Sequence, residues 1–275
     1  MCPARAFENQ PAAQQYARVA KSRPSRSWVG LRVVGRASLI AAAGAALASA
    51  PATATTTCGG RASAARVGRP EPWRAWRGEL SASTPVYARL GGSPTGSVTP
   101  ADASAVLVLA ARERTGRCWV RVRLPSRPNS ESGWVNGERL ELSSTTWRLV
   151  VHVGSRRLDM LRRGRLVRRV AVVVGAPLTP TPRGLFAIAG AWKWRPRDFY
   201  GAWVLTLSAH SDVLKRFDGG DGRIALHGRG EASLADPLGS ARSHGCIRLA
   251  NSAISWLART IGPRQLPGTP VVVEN

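Results

Sequence analysis

Apolar residues in this chain come in short runs that alternate with polar ones or are rich in β-branched side chains, and only one segment repeats with the period of a helix. Trp147 to Val153 (WRLVVHV), Leu158 to Leu161, Arg165 to Val174 (RLVRRVAVVV), Trp203 to Leu207 (WVLTL) and Val271 to Val273 are strand signals. Alternation puts every second side chain on one face, and branching at Cβ favours extended backbone. Asn251 to Ile261 is the exception: Ile254, Leu257, Ala258 and Ile261 share one helical face, and Asn251 or Ser252 is placed to cap it. Upstream, Val86 to Ala88, Ala105 to Ala110 (AVLVLA), Cys118 to Leu124 (CWVRVRL) and Gly133 to Val135 are further short strands between turn residues. The fold class is therefore mainly β, with a small β-barrel-like domain over 79–143 and a second β-rich domain from 146 to 274.

A length of 275 residues suits one or two such domains. The first 54 residues read as an export segment. A basic stretch from Arg18 to Arg36 precedes an uncharged run, Ala37 to Ala50, and the small residues Pro51 to Ala54 resemble a signal-peptidase site. The run is short for a membrane span, so membrane attachment is expected only if this leader stays uncleaved. Residues 55–78 are basic and punctuated by Pro and Gly, the pattern of a linker. The expected location is outside the cytoplasm, on the extracellular or periplasmic side of the envelope.

Charge narrows the partners. Lys plus Arg number 40 against 16 Asp plus Glu, a formal +24, and loss of the leader's seven bases and one Glu leaves 24 − 6 = +18. Outside a cell, such a cation is drawn to anionic wall polymers, whereas export argues against nucleic acid as the partner. Part of the basicity is an arginine-rich habit shared by the whole sequence. The oligomeric state is left open.

Of the four cysteines, Cys2 goes with the leader, and Cys58, Cys118 and Cys246 leave an odd thiol. Whether Cys58 pairs with Cys118 is open from sequence. His244-Gly245-Cys246 supplies too few donors for tetrahedral zinc, so neither a metal nor a cofactor is expected.

Cys246 lies in Ser243-His-Gly-Cys-Ile-Arg-Leu249, and His227 ends the apolar run Ile224 to Leu226. A cysteine with its ordinary pKa near ~8.5 is mostly protonated at neutral pH, so a nucleophilic thiol needs a base within reach. Two histidines are on offer, His227 and His244; the first ends an apolar strand, where its position is rigid, and the loop after it is long enough to return Cys246 to it. Gly245 allows close backbone approach, and the amides of Gly245 and Cys246 suit an oxyanion hole. A lone Cys or His is usually a packing residue, but here both occur in Gly-framed turns in a chain with four histidines in all.

His227-Gly228, a spacer of 14 residues, and Ser243-His-Gly-Cys-Ile-Arg248, with Thr181-Pro-x-Gly-x-Phe186 upstream, resemble the signature of the L,D-transpeptidase catalytic (YkuD) family over about residues 146 to 274. The resemblance implies a β-sandwich-like fold with one or two short helices, and an enzyme acting on peptidoglycan stem peptides. It implies Cys246 as nucleophile, expelling the terminal D-alanine of a tetrapeptide stem, and His227 as general acid/base. The Gly228 carbonyl would hold the imidazole in one tautomer. An acceptor amine then takes the acyl group, giving a cross-link. Water in its place would make the protein an L,D-carboxypeptidase or endopeptidase, and a non-catalytic wall-binding protein is the remaining alternative. Ser243 is expected to bond within the turn and His244 to lie behind the reacting pair. Arg248 either binds a substrate carboxylate or braces the loop. Tyr200 and Trp203, in an aromatic stretch from Trp192, either wall the donor groove or belong to the core. The segment with Trp119 to Val122 and Gly133 to Val135 resembles bacterial Src-homology-3-like domains, which often target cell walls.

Overall fold

The computed structural model describes residues 57–58, 62–63, 67–217 and 219–275; the expected leader, 1–54, lies outside them. Two short strands, β1 (Thr57–Cys58) and β2 (Ala62–Ser63), pair antiparallel. Seven strands follow: β3 (Ala75–Leu80), β4 (Thr84–Tyr87), β5 (Pro94–Val98), β6 (Ala105–Arg114), β7 (Arg117–Arg123), β8 (Ser132–Asn136) and β9 (Leu140–Thr145). They form one antiparallel sheet in the order β5-β4-β8-β7-β6-β3-β9. In β7 the alternation works as read: Cys118, Val120 and Val122 are fully buried, while Trp119 and Arg121 face outward. Cys58 and Cys118 form a disulfide with Cα atoms 5.2 Å apart, which ties β1 to this sheet.

Strand β3 begins four residues inside the segment read as linker, and β9 runs two residues past 143. Ala75 pairs with Thr145 and Gly78 with Leu142, so the partner that orders 75–78 is far along the chain. A local reading of a Pro- and Gly-rich stretch does not reveal such a partner.

The remaining strands are β10 (Trp147–His152), β11 (Arg157–Arg162), β12 (Arg165–Ala171), β13 (Val174–Gly175), β14 (Gly184–Lys193), β15 (Trp203–His210), β16 (Arg223–His227), β17 (Ala241–Ser243), β18 (Ile247–Arg248) and β19 (Pro270–Glu274). Eight of them make a mixed sheet, β12-β11-β10-β19-β14-β15-β16-β18, with β10/β19 and β16/β18 parallel. The run Arg165 to Val174 is split. After Ala171 the chain leaves β11: Val173 exchanges backbone hydrogen bonds with Arg248 (3.0 and 2.9 Å), and β13 then pairs with β17. The turn between β17 and β18, which carries Cys246, is thereby fixed on two sides.

Helix α1 (Asn251–Ile261) covers the sheet with the expected face: Ile254, Leu257 and Ala258 are fully buried against Leu149, Phe186, Leu205 and Leu226. Burying one such Leu or Ile contributes about 1.5–3 kcal/mol, an upper figure because real unfolded chains are already partly compact. Its N-cap is Ala250, without a side-chain cap bond, so neither Asn251 nor Ser252 caps it. The two sheets meet where Ser104 N–H donates to the Ala189 carbonyl (2.8 Å) and the buried Arg77 guanidinium to that of Arg264 (2.6 Å). Among the described residues no helix is long and apolar enough to cross a membrane.

Candidate active site

His227 ends β16, and the parallel pairing of Leu226 with Ile247 and of His227 with Arg248 brings Cys246, the residue before Ile247, to the neighbouring strand end. The Leu249 N–H donates to the His227 carbonyl at 2.8 Å and holds that register. The imidazole is fully buried. Its Nδ1 lies 2.8 Å from the Gly228 carbonyl. A carbonyl only accepts, so the proton sits on Nδ1, and Nε2 of the neutral ring carries a lone pair. Nε2 is buried and has no hydrogen-bond partner among the described residues.

The Cys246 thiol is nearly buried and lies outside the disulfide. It packs with Tyr200, Val204 and Ala225, and Trp194 and Phe199 close the cluster. Tyr200 also meets His227 edge-on, ring centroids 5.2 Å apart, so one aromatic side chain touches both members of the pair. Trp203 does not join them. It starts β15 and packs against the main core.

The turn before Cys246 is held by short bonds. Ser243 Oγ donates to the Cys246 carbonyl at 2.6 Å and accepts from the Gly245 N–H at 3.1 Å. Gly245 has φ +115°, a left-handed conformation that disfavours any residue with a Cβ. Because its N–H is engaged by Ser243, the Gly245 amide is committed within the turn rather than turned to an oxyanion. Thr181, from the upstream T-P-x-G motif, is buried; its hydroxyl donates to the Gly245 carbonyl (2.8 Å) and accepts from the Gly175 N–H (2.9 Å). Thr181 thus anchors the turn that carries Cys246, a role that the motif alone did not announce.

Arg248 resolves toward bracing. Its guanidinium is buried, ion-pairs with Asp236 and lies over the Phe199 ring at 5.0 Å, which fixes the 229–236 loop. His244 is exposed at one edge and stacked on Phe217 at the other, centroids 5.1 Å apart. Burial, foremost, holds its imidazole below the ordinary value.

Asn251 was read as a cap and is a hub. Its Oδ1 accepts from Ala202 N–H (2.9 Å) and Arg229 N–H (3.1 Å), and its Nδ2 donates to the carbonyls of Pro196 (3.0 Å) and Arg229 (2.8 Å). Gly201 and Gly228 pinch this amide so closely that a Cβ on either would stand 2.1 Å from Oδ1. Both loops flanking His227 are therefore fastened by one side chain. The signal was faint: an Asn after R-L-A, indistinguishable from a cap without the loops it binds. Among the described residues no group of three His, Cys, Asp or Glu is placed to hold a metal ion.

Residues 146–273 match the family model for the L,D-transpeptidase catalytic domain, named YkuD; it does not reach 79–143, where a Src-homology-3-like assignment stays an expectation. The YkuD protein of Bacillus licheniformis is 32% identical over 115 residues, 42% of this chain and 60% of that protein. The YkuD protein of Bacillus subtilis is 24% identical over 144 residues, 50% of this chain and 78% of that one. Among solved structures, L,D-transpeptidase 3 of Mycobacterium tuberculosis, bearing a faropenem-derived adduct, superposes with a TM-score of 0.38 at 12% identity, covering 72% of this chain and 95% of that one. Bd1075 of Bdellovibrio bacteriovorus gives 0.36 at 23% identity, covering 48% of each. These structural likenesses are too remote to bear on the site. Over residues 146–273, then, this chain is similar to the L,D-transpeptidase catalytic domain (YkuD) family.

Proposed function

We propose that the protein is an exported peptidoglycan L,D-transpeptidase acting in the cell wall, with Cys246 as nucleophile and His227 as its base. The observation that carries this reading is the state of His227: Nδ1 is locked on the Gly228 carbonyl at 2.8 Å, and the lone pair of a buried Nε2 is left at the strand end beside Cys246. An imidazole so held takes a thiol proton without reorienting, the role that a carboxylate-held histidine plays in other triads.

In the proposed cycle Nε2 removes the Cys246 proton and the thiolate attacks the carbonyl carbon of the third stem residue. The bond to the terminal D-alanine breaks, the proton on Nε2 passes to the leaving amine, and a thioester remains on Cys246. An acceptor amine then attacks the thioester, loses a proton to His227 and regenerates the thiol. Ser243 and Thr181 hold the turn in place throughout, and no metal or cofactor enters. The basic surface is suited to concentrating the enzyme on anionic wall polymers. The test is product analysis from a purified tetrapeptide stem with and without an added amine. Amine-dependent cross-linked product with D-alanine release supports the transpeptidase. D-alanine release with hydrolysed tripeptide alone, whatever the amine, replaces it with a carboxypeptidase.

A further inference from the structure

Residues 211–222, between β15 and β16, bring Phe217 onto His244, two residues from Cys246. The loop is held by Ser211 N–H to Gly222 O (2.8 Å), Leu214 N–H to Ser211 Oγ (3.0 Å), a bridge of Phe217 to Gly220, and the Asp221 carboxylate, which bonds His210 Nε2 (2.9 Å) and the Arg223 N–H (3.1 Å) at its end. The middle of the loop is supported by the upstream module, more than 80 residues earlier in the chain. The Arg127 guanidinium donates to the carbonyls of Ser211 (2.7 Å), Leu214 (3.2 Å) and Asp221 (2.8 Å). Asn129 Nδ2 donates to the His210 carbonyl and the Asp212 carboxylate, both at 2.7 Å, and Asn129 Oδ1 accepts from the His210 N–H at 2.8 Å. In return Arg223 donates to the carbonyls of Asp102 (2.9 Å) and Pro125 (3.2 Å). Gly222, with φ +73°, lets the loop close on Arg127: a Cβ there would meet the Leu214 carbonyl at 2.0 Å and Arg127 Nη2 at 3.1 Å.

A rigid guanidinium fork that collects three carbonyls from different parts of one loop fixes that loop's shape, and a point charge on a flexible stem does not replace it. The exposed Val213 and the half-buried Phe217 give the loop no apolar core of its own to do the same work. From this geometry we infer that Arg127 and Asn129 are positioning residues of the active site: the upstream module sets the 211–222 loop and, through Phe217 over His244, one wall of the donor-peptide groove. The inference rests on the proposed role of Cys246 for the word donor, while the placement of the loop stands apart from it.

The experiment uses the chain with variants Arg127→Ala, Arg127→Lys, Asn129→Ala and Phe217→Ala, and Arg165→Ala as a surface control. Three readouts are taken: kcat and KM for D-alanine release from a tetrapeptide stem, the rate of Cys246 alkylation by iodoacetamide, and the NMR titration midpoint of the His244 ring. Expected are a KM raised at least fivefold in Arg127→Ala, Asn129→Ala and Phe217→Ala with kcat within threefold of the parent. Alkylation should stay within twofold, and the His244 midpoint should rise as its cover is lost. Arg127→Lys should fall between. Unchanged KM and an unchanged His244 midpoint in folded Asn129→Ala and Phe217→Ala would overturn the inference. So would a fall in kcat and alkylation at constant KM, which would place the effect on the nucleophile instead. Should Arg127→Ala not fold, Arg127→Lys and Phe217→Ala decide. If the parent turns over no stem, the catalytic reading fails, and the substrate-free His244 midpoint still decides the positioning role by rising or not.

Discussion

Replacing Asn251 by Ala removes four hydrogen bonds at once: two accepted by Oδ1 from Ala202 and Arg229 and two donated by Nδ2 to Pro196 and Arg229. The groups left behind are only partly buried, and water reaches the Pro196 carbonyl, so the loss is smaller than four full desolvation penalties. At about 0.5–1.5 kcal/mol net per bond, and near the low end for the exposed one, the expected destabilisation is about 2–4 kcal/mol. For a chain of this size that lowers Tm by roughly 5–15 °C. Activity should fall further than stability implies, because the released 228–229 segment carries the carbonyl that orients His227. At least a tenfold drop in kcat/KM for D-alanine release is expected at a temperature where the variant is folded. Asn251→Asp separates the two halves of the hub. A carboxylate still accepts from Ala202 and Arg229 and sits well in the first turn of α1, while both donated bonds are lost. It should retain more activity than Asn251→Ala. Urea unfolding and initial rates on the same samples make the comparison. A stability change under 0.5 kcal/mol with unchanged kcat/KM in Asn251→Ala would refute the hub.

Three further outcomes follow from the same geometry. Thr181→Val keeps the shape of a buried side chain but strips its bonds to Gly175 and Gly245, and should cost about 1–3 kcal/mol in urea unfolding while slowing Cys246 acylation. Reducing the Cys58–Cys118 disulfide opens a 60-residue separation, which in the chain-entropy picture lowers stability by roughly 4 kcal/mol; equal melting with and without reductant would count against it. His210, hydrogen-bonded at 2.9 Å, holds the Asp221 carboxyl well below its usual range. The unfolded chain therefore binds the proton first, so this stabilisation is complete above about pH 4 and is lost as pH falls below it. Asp221→Asn should flatten the acid limb of urea midpoint against pH. The limb should not vanish, since Arg169 lowers Asp159 in the same direction.

What the sequence disclosed and what it hid divide along the range of the interactions. Helix α1 was read at its true bounds because an uninterrupted apolar face is a local pattern, and the Cys246 and His227 segments stood out because their Gly-framed turns are contiguous in sequence. Ala75 to Gly78 was read as linker because its strand partner lies near residue 145. Arg248 was left between two roles because Asp236, the acid that claims it, lies in a loop with no periodic signal. Trp203 and Tyr200 looked alike as aromatics three residues apart, yet only Tyr200 packs with Cys246. Gly245 was read as an oxyanion donor because sequence shows that a glycine amide exists, but not that the Ser243 hydroxyl already accepts from it. Asn251 illustrates the limit best, since a cap and a hub joining two loops are the same letter until the loops have closed.

The measurement that bears most directly on the central claim is intact-protein mass spectrometry of residues 55 to 275 mixed with a purified tetrapeptide-stem muropeptide, beside Cys246→Ala and His227→Ala. The account predicts a mass increase equal to the stem less D-alanine, stoichiometric release of D-alanine, no adduct in Cys246→Ala and a much slower one in His227→Ala. Folded, reduced protein that forms no adduct and frees no D-alanine would contradict it, as would an adduct that survives in Cys246→Ala.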